Sequence, residues 1–94
     1  MKHAGPLALE TLEPLLEELR KIAGLVERKR GIFYQGAAAF VHFHEDPAGI
    51  FADLKSGADF ERYAVNTPAE IARLLRAARA QAFPLRAKRH SRQT

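Results

Sequence analysis

The apolar residues in the first quarter of the chain recur at intervals of three and four, which is typical of an amphipathic helix. They alternate with charged residues and comprise Leu12, Leu15, Leu16, Leu19, Ile22 and Ala23. Thr11 precedes the first of them as a candidate N-cap, and Gly24 follows the last as a candidate C-terminal stop. Residues 1–10 lack the pattern, so we expect them to form a loose arm.

The middle of the chain alternates between short apolar runs and turn residues, which predicts an antiparallel meander. Gln35-Gly36 is a candidate hairpin turn, Asp46-Pro47-Ala48-Gly49 has the preferences of a type I turn, and 56–59 forms a third. Residues 25–28 fit either a short edge strand or an extension of the helix. The clear strands are expected over residues 32–34, 37–44, 50–55 and 60–65.

A capping box opens the last helix, since Thr67 and Glu70 flank Pro68 at the first helical position. This helix is expected to end near Phe83, because Pro84 follows. The predicted fold class is α+β: a four- to five-stranded antiparallel meander flanked by an N-terminal and a C-terminal helix packed on one face. We expect one domain over residues 1–83 and a basic, flexible tail over residues 84–94.

The turns also predict the register of the sheet. If Glu45 lies opposite Ile50, the apolar pairs Phe43–Ala52 and Val41–Leu54 face the helices. Continuing across the next turn places Arg62 beside Asp53. The opposite, open face is then expected to carry Phe33, Phe40, His42, His44, Phe51, Asp53, Phe60 and Arg62.

This open face combines aromatic side chains with ionisable groups, which indicates a partner or a ligand. The expected ligand or interface residues are Phe40, His42, His44, Phe51, Asp53 and Arg62. A homodimer formed through this face is one possibility, and a pocket for a small molecule is the other.

His42 and His44 are the candidates for chemistry, because residues two apart in a strand project to the same face. With Asp53 or Asp46 as an oxygen ligand, they could hold zinc or iron. A hydrogen-bonded His42–Asp53 pair in a polar sheet face, with His44 at the rim, is favoured over a metal site. His42 oriented by Asp53 could also serve acid–base catalysis. His3 and His90 lie in the chain ends and are not expected to take part. No candidate nucleophile accompanies the pair, so a non-enzymatic role is favoured over catalysis.

The formal net charge of +4 comes from the C-terminal end, since residues 1–83 hold 11 basic and 11 acidic side chains. Nucleic acid could bind Arg73, Arg76 and Arg79 together with the 84–94 tail. A solvated helix face and a solvated tail are the simpler interpretation.

Composition excludes several classes of protein. The chain has no cysteine, which excludes disulfides, iron–sulfur clusters and thiol catalysis. It has no apolar run of membrane-spanning length and no signal-peptide pattern, so a cytoplasmic location is expected.

Three segments resemble small bacterial proteins of unknown function: 31–46, Phe51-Ala-Asp-Leu-Lys and Phe60-Glu-Arg. In outline, a helix ending in Ala-Gly before a meander is similar to the YjbR-like family of small α+β proteins, some of which are described as DNA-binding. This resemblance implies a fold but no functional residue. The sequence therefore favours a binding or homodimerisation module, with a metal- or acid–base-dependent enzyme and a nucleic-acid accessory protein as alternatives.

Overall fold

A computed structural model describes the backbone of residues 1–92 and the side chains of residues 1–82. An antiparallel sheet and three helices make up this part of the chain, which confirms the α+β class. Within it, no helix has both the length and the apolar character needed to cross a membrane. In chain order the elements are β1 (Lys2–His3), α1 (Pro6–Thr11), α2 (Glu13–Arg20), β2 (Leu25–Lys29), β3 (Ile32–Gln35), β4 (Ala38–Asp46), β5 (Gly49–Ser56), β6 (Asp59–Ala64) and α3 (Pro68–Arg92).

Strands β2 to β6 form a five-stranded meander in which each strand pairs with the next along the chain. The segment 25–28 is therefore an edge strand rather than a helical extension. The short strand β1 pairs with β4 at Glu45 and His44. Because β5 already pairs with this half of β4, β1 occupies the opposite edge of β4, beyond the end of β3.

The register of the central strands agrees with the sequence-based prediction. Glu45 lies opposite Ile50, and His42 lies opposite Asp53. Arg62 pairs with Asp53 on the next strand. The turn that sets this register is closed by a side chain, since the Ala48 N–H donates to Asp46 Oδ1 over 2.8 Å.

Two aromatic residues predicted on the open face lie in the core instead. Phe33 pairs with Val41 and is fully buried, and Phe40 is 3% exposed. The cause is a β-bulge: β3 advances one residue from Tyr34 to Phe33 while β4 advances two, from Ala39 to Val41. Phe40 is the extra residue, so strict alternation fails there and both Phe40 and Val41 join the core.

The N-terminal ten residues are ordered into β1 and α1, so the predicted loose arm is wrong. Thr11 is not an N-cap, because its hydroxyl donates to the Leu7 carbonyl at the end of α1. The N-cap of α1 is Gly5, whose N–H donates to Glu45 Oε2 over 2.5 Å. We refer to residues 1–5 as the N-terminal arm.

Helix α3 continues past the predicted stop at Phe83 and reaches Arg92. Pro84 removes one helical hydrogen bond, but the residues after it are mostly strong helix formers, which favours continuation of the helix. At its start one half of the predicted capping box is formed, since the Glu70 N–H donates to Thr67 Oγ1, whereas the Glu70 carboxylate accepts from the Asn66 N–H instead of the Thr67 N–H.

The helices pack on one face of the sheet, and a single core fills the interface. Helix α2 contributes Leu15, Leu16 and Leu19, which are at most 2% exposed. Leu74 and Ala78 of α3 meet them over the sheet. The opposite face of the sheet is left without a covering helix among the described residues, and it carries the ionisable groups.

Candidate metal-binding site

Three histidines come together on the open face of the sheet, next to the end of β1. One ring nitrogen from each of His3, His42 and His44 lies within 4.8 Å of the other two. The His3 ring stacks on His44, with centroids 4.9 Å apart and an interplanar angle of 29°. His42 meets the His44 ring edge-on at 5.0 Å. We call these residues the three-histidine cluster.

Backbone pairing and one carboxylate hold His3 in this place. His3 lies opposite His44 in the pairing of β1 with β4, so both side chains leave the same face. The next two N–H groups are also held: Ala4 donates to the Phe43 carbonyl over 3.1 Å, and Gly5 donates to Glu45. Glu45 therefore serves to anchor the N-terminal arm, in addition to its place beside the 46–49 turn.

Asp53 lies beneath the cluster and is held by Arg62. The Arg62 guanidinium donates from Nε to Oδ1 and from NH2 to Oδ2, each over 2.8 Å. These bonds hold the pKa of Asp53 below its usual value, against the opposing effect of burial. Asp53 is therefore ionised, although only 8% of this residue is exposed.

Asp53 contacts His44 rather than His42, which corrects the predicted His42–Asp53 pair. His44 Nε2 lies 3.1 Å from Asp53 Oδ2, and it also lies 3.0 Å from His42 Nδ1. Diagonal neighbours on adjacent strands are within reach of long side chains, which explains the contact. With 14% of its side chain exposed, His44 is not the rim residue that we expected.

These contacts determine the useful tautomer of His44. An ionised Asp53 can only accept, so a proton on His44 Nε2 satisfies it and leaves Nδ1 of the neutral ring as an acceptor. That Nδ1 is buried and has no hydrogen-bond partner among the described residues. A carboxylate on one imidazole nitrogen and a free lone pair on the other is the usual arrangement around metal-binding histidines.

His42 is kept neutral by its surroundings. Burial is the largest effect on it and the neighbouring His44 the next, and together they lower the pKa of His42 although Asp53 acts in the opposite direction. Phe60 packs edge-on against the His42 ring with centroids 5.1 Å apart, which contributes to that burial. A neutral imidazole is the form that binds a metal ion.

The spacing of the nitrogens suits a transition-metal ion. A Zn–N bond is about 2.0–2.1 Å, so two nitrogens on one tetrahedral ion lie about 3.4 Å apart. The ring nitrogens of the cluster lie within 4.8 Å of one another, so the rings have to approach by about 1 Å to share an ion. His3, the most exposed of the three, is the ring with the most room to move.

The predicted ligand set therefore changes: His3 takes the place of an aspartate. His42 and His44 are brought together as predicted, whereas the Asp53 carboxylate is bound by Arg62 and supports the cluster from below. The Asp46 carboxylate accepts a hydrogen bond within its own turn. Phe51 pairs with His44 and is half-buried on the open face, as expected, but Phe40 is in the core.

Sequence reasoning missed His3, and the only available indication was weak. His3 lies 41 residues before His44, and nothing local predicts that a two-residue strand will pair there. Gly5-Pro6, a glycine followed by a proline at the first helical position, is the one feature that indicated an ordered start to the chain. The fourth histidine, His90, lies outside the described side chains.

The basic residues proposed for nucleic acid are only partly brought together. Arg73 and Arg76 line a groove of about 540 Å³ between α3 and β6, together with Arg62 and Tyr63. Arg79 instead reaches Glu18 of α2, with its NH2 3.4 Å from Oε1. The side chains of the 84–94 tail lie outside the described part of the chain.

No protein-family model, curated protein or solved structure matches this chain. The resemblance to YjbR-like proteins stays a prediction.

Proposed function

We propose that this protein is a binding module whose open sheet face holds one divalent transition-metal ion on His3, His42 and His44. The observation that carries the proposal is the approach of three ring nitrogens to within 4.8 Å of one another. Imidazole nitrogens suit Zn²⁺, Cu²⁺, Ni²⁺ and iron. Zn²⁺ is the best fit, because it has no geometric preference from its d electrons and is held by three protein ligands in its open sites.

The surroundings of the cluster support this role. Asp53 orients His44 through Nε2 and supplies negative charge below the rings, while Arg62 holds that carboxylate ionised. The lowered pKa of His42 favours the neutral ring, in which one of the two nitrogens carries a free lone pair. The orphaned His44 Nδ1 is the kind of buried polar atom that a bound ion satisfies.

Three protein ligands leave at least one coordination position for water or a partner group. The module is a binding protein in this proposal, with the open position as the place where a partner's donor atom would attach.

Isothermal titration of the tag-free, EDTA-treated protein with ZnCl₂ tests the proposal. We expect one ion per chain, and an affinity at least tenfold weaker in each of His3→Ala, His42→Ala and His44→Ala, because each removes one ligand. Titration with Co²⁺ adds a spectroscopic readout, since nitrogen ligands change its visible absorption. The matched control is Glu17→Gln, which removes an exposed carboxylate from α2 and is expected to leave the affinity unchanged.

His3→Ala is the decisive variant, because His3 is exposed and its loss leaves the core intact. The variants of His42 and His44 are checked for folding by circular dichroism before titration. A stoichiometry near zero, or an affinity that His3→Ala does not weaken, would overturn the three-histidine site.

The homodimer and the cytoplasmic location stay predictions. We propose that a homodimer forms through the same open face, where Phe51 and Phe60 flank the cluster and Phe60 is 43% exposed. Sedimentation of wild type and Phe60→Asp, each with and without Zn²⁺, tests this.

A further inference from the structure

A second possible binding site lies under the N-terminal arm, on the side of β4 away from β5. A cavity of about 530 Å³ opens there between the arm, the start of α1 and the turn that joins β2 to β3. This volume falls within the range of roughly 300–1,000 Å³ that is typical of small-molecule sites. Its floor and walls include Pro6, Leu9, Ile32 and Phe43.

Both walls of the cavity are built before any ligand binds. The arm is fixed by the bonds from Ala4 to the Phe43 carbonyl and from Gly5 to Glu45. The facing wall is fixed at Gly31, whose φ of +82° only glycine adopts readily, and whose N–H donates to Glu27 over 2.8 Å. Leu9 packs so closely on Gly31 that an added Cβ would lie 2.6 Å from Leu9 Cδ2. Because the walls are already ordered, less conformational entropy is lost on ligand binding than in a cavity that has to form first.

The charges at the cavity are all of one sign. Lys29 and Arg30 line it, and no acidic residue does. Arg30 is already paired with Glu13 Oε1 over 2.8 Å, whereas Lys29 makes no ion pair among the described side chains. The cavity therefore offers about one uncompensated positive charge beside an apolar interior. A single negative charge on an apolar body complements this arrangement.

We propose that this cavity binds a small amphiphile with one carboxylate head and an unbranched or compact apolar body, such as a medium-chain fatty acid. The carboxylate lies at Lys29, with Arg30 beside it, and the apolar body packs on Leu9, Ile32 and Phe43. A phosphate head is disfavoured, because its second negative charge would meet an arginine that Glu13 already neutralises. The proposal does not depend on metal binding, although His3 lines both sites.

Calorimetric titration with three eight-carbon probes of the same shape tests the charge of the head group. In the presence of EDTA, octanoate is expected to bind more tightly than octanol, and octylammonium more weakly than both. Lengthening the carboxylate from six to eight carbons should tighten binding by about fourfold per methylene, which is the value for burying one CH₂. Equal binding of octanoate and octanol, or no dependence on chain length, would overturn the proposal.

Two variants locate the site. Lys29→Gln removes the free charge and is expected to bring octanoate down to the affinity of octanol. The matched control is Lys55→Gln, because Lys55 lies over Phe60 on the open face. This substitution should leave the affinities for octanoate and octanol unchanged. Ile32→Trp places a larger side chain in the cavity and should weaken all three probes at least tenfold.

The measurement also separates this site from the metal site. His42 does not line the cavity, so His42→Ala should leave octanoate binding unchanged while it weakens the binding of Zn²⁺. Octanoate binding that is absent in EDTA, or that is lost in His42→Ala when both are measured in EDTA, would overturn the cavity as the binding site.

Discussion

Arg20 shows how a few residues join the helical layer to the edge of the sheet. Its guanidinium donates to Glu27 Oε1 of β2 over 2.5 Å and to Glu13 Oε2 at the start of α2 over 2.6 Å. Arg30 completes the group by pairing with the other oxygen of Glu13. Glu27 in turn accepts from the Gly31 N–H, so the same carboxylate fixes the turn that walls the cavity.

This network predicts a dependence of stability on pH. Arg20 is the main cause of the lowered pKa of Glu27, and the Gly31 N–H adds to it. Because the pKa is lower in the folded state, the stabilisation is fully present above the ordinary value of 4.5. It is lost as the pH falls from there through the folded-state pKa, since the unfolded chain then binds more protons.

Urea unfolding at pH 7 and at pH 3 measures this effect. Glu27→Gln should lower the free energy of unfolding by about 1 kcal/mol at neutral pH, which is the value of a charged hydrogen bond reduced for partial exposure to solvent. The loss should be much smaller at pH 3. The control Glu17→Gln removes an acid that has no ion pair among the described side chains, and it should change stability little at either pH. A cost for Glu27→Gln that is equal at both pH values would contradict the assignment.

At the scale of the elements, the sheet register was predictable because the information that sets it is local. The Asp46–Gly49 turn contains its own closing hydrogen bond, so pairing outward from it follows by counting. The capping box at Thr67 and Glu70 is equally local. Asn66 was not recognised, although its side chain accepts from the Ile50 N–H and donates to the Ile50 carbonyl, joining α3 to β5.

The bulge in β4 was not predictable from these local patterns. Nothing in Ala38-Ala39-Phe40-Val41 shows that one residue is extra, because a bulge depends on how two strands are joined and packed. The strong helix formers of α3 likewise continued a helix that Pro84 was expected to end. Alternation therefore placed the histidines correctly, beyond the bulge, and Phe40 wrongly, within it.

Because of the bulge, we expect different losses of stability from two phenylalanines that the sequence analysis placed on the same face. Phe40→Ala removes a ring that is 3% exposed and should cost about 3–5 kcal/mol in the free energy of unfolding. Phe60→Ala removes a ring that is 43% exposed and should cost less than about 1 kcal/mol. Chemical denaturation of the two variants measures both values. Similar costs would mean that Phe40 lies on the open face after all.

At the scale of the whole molecule, the N-terminal arm connects the two proposed sites. It carries His3 into the cluster on one side of the sheet edge and forms a wall of the cavity on the other. The strand that positions it is only two residues long, so few backbone bonds oppose its opening. This arrangement was out of reach of sequence analysis, because it depends on contacts between residues about 40 positions apart.

A metal ion on His3 should therefore slow the opening of the arm, which hydrogen exchange of the Ala4 and Gly5 amides measures. Both amides donate to β4, to the Phe43 carbonyl and to Glu45, so their exchange reports detachment of the arm. With Zn²⁺ free at 100 times its dissociation constant, protection should rise by up to about 100-fold if the ion binds only the attached arm.

Two controls separate local opening from global unfolding. The Val65 amide donates to the Ile50 carbonyl, away from the arm, and its exchange should change less than that of Ala4. Glu45→Ala removes the carboxylate that holds Gly5, so it should speed exchange at the arm and weaken Zn²⁺ binding although Glu45 is no ligand. If Zn²⁺ protects Val65 as strongly as Ala4, both amides exchange through the same global unfolding and the arm has no separate opening. If neither amide responds while His42→Ala still weakens binding, the ion is held by the strand histidines without His3.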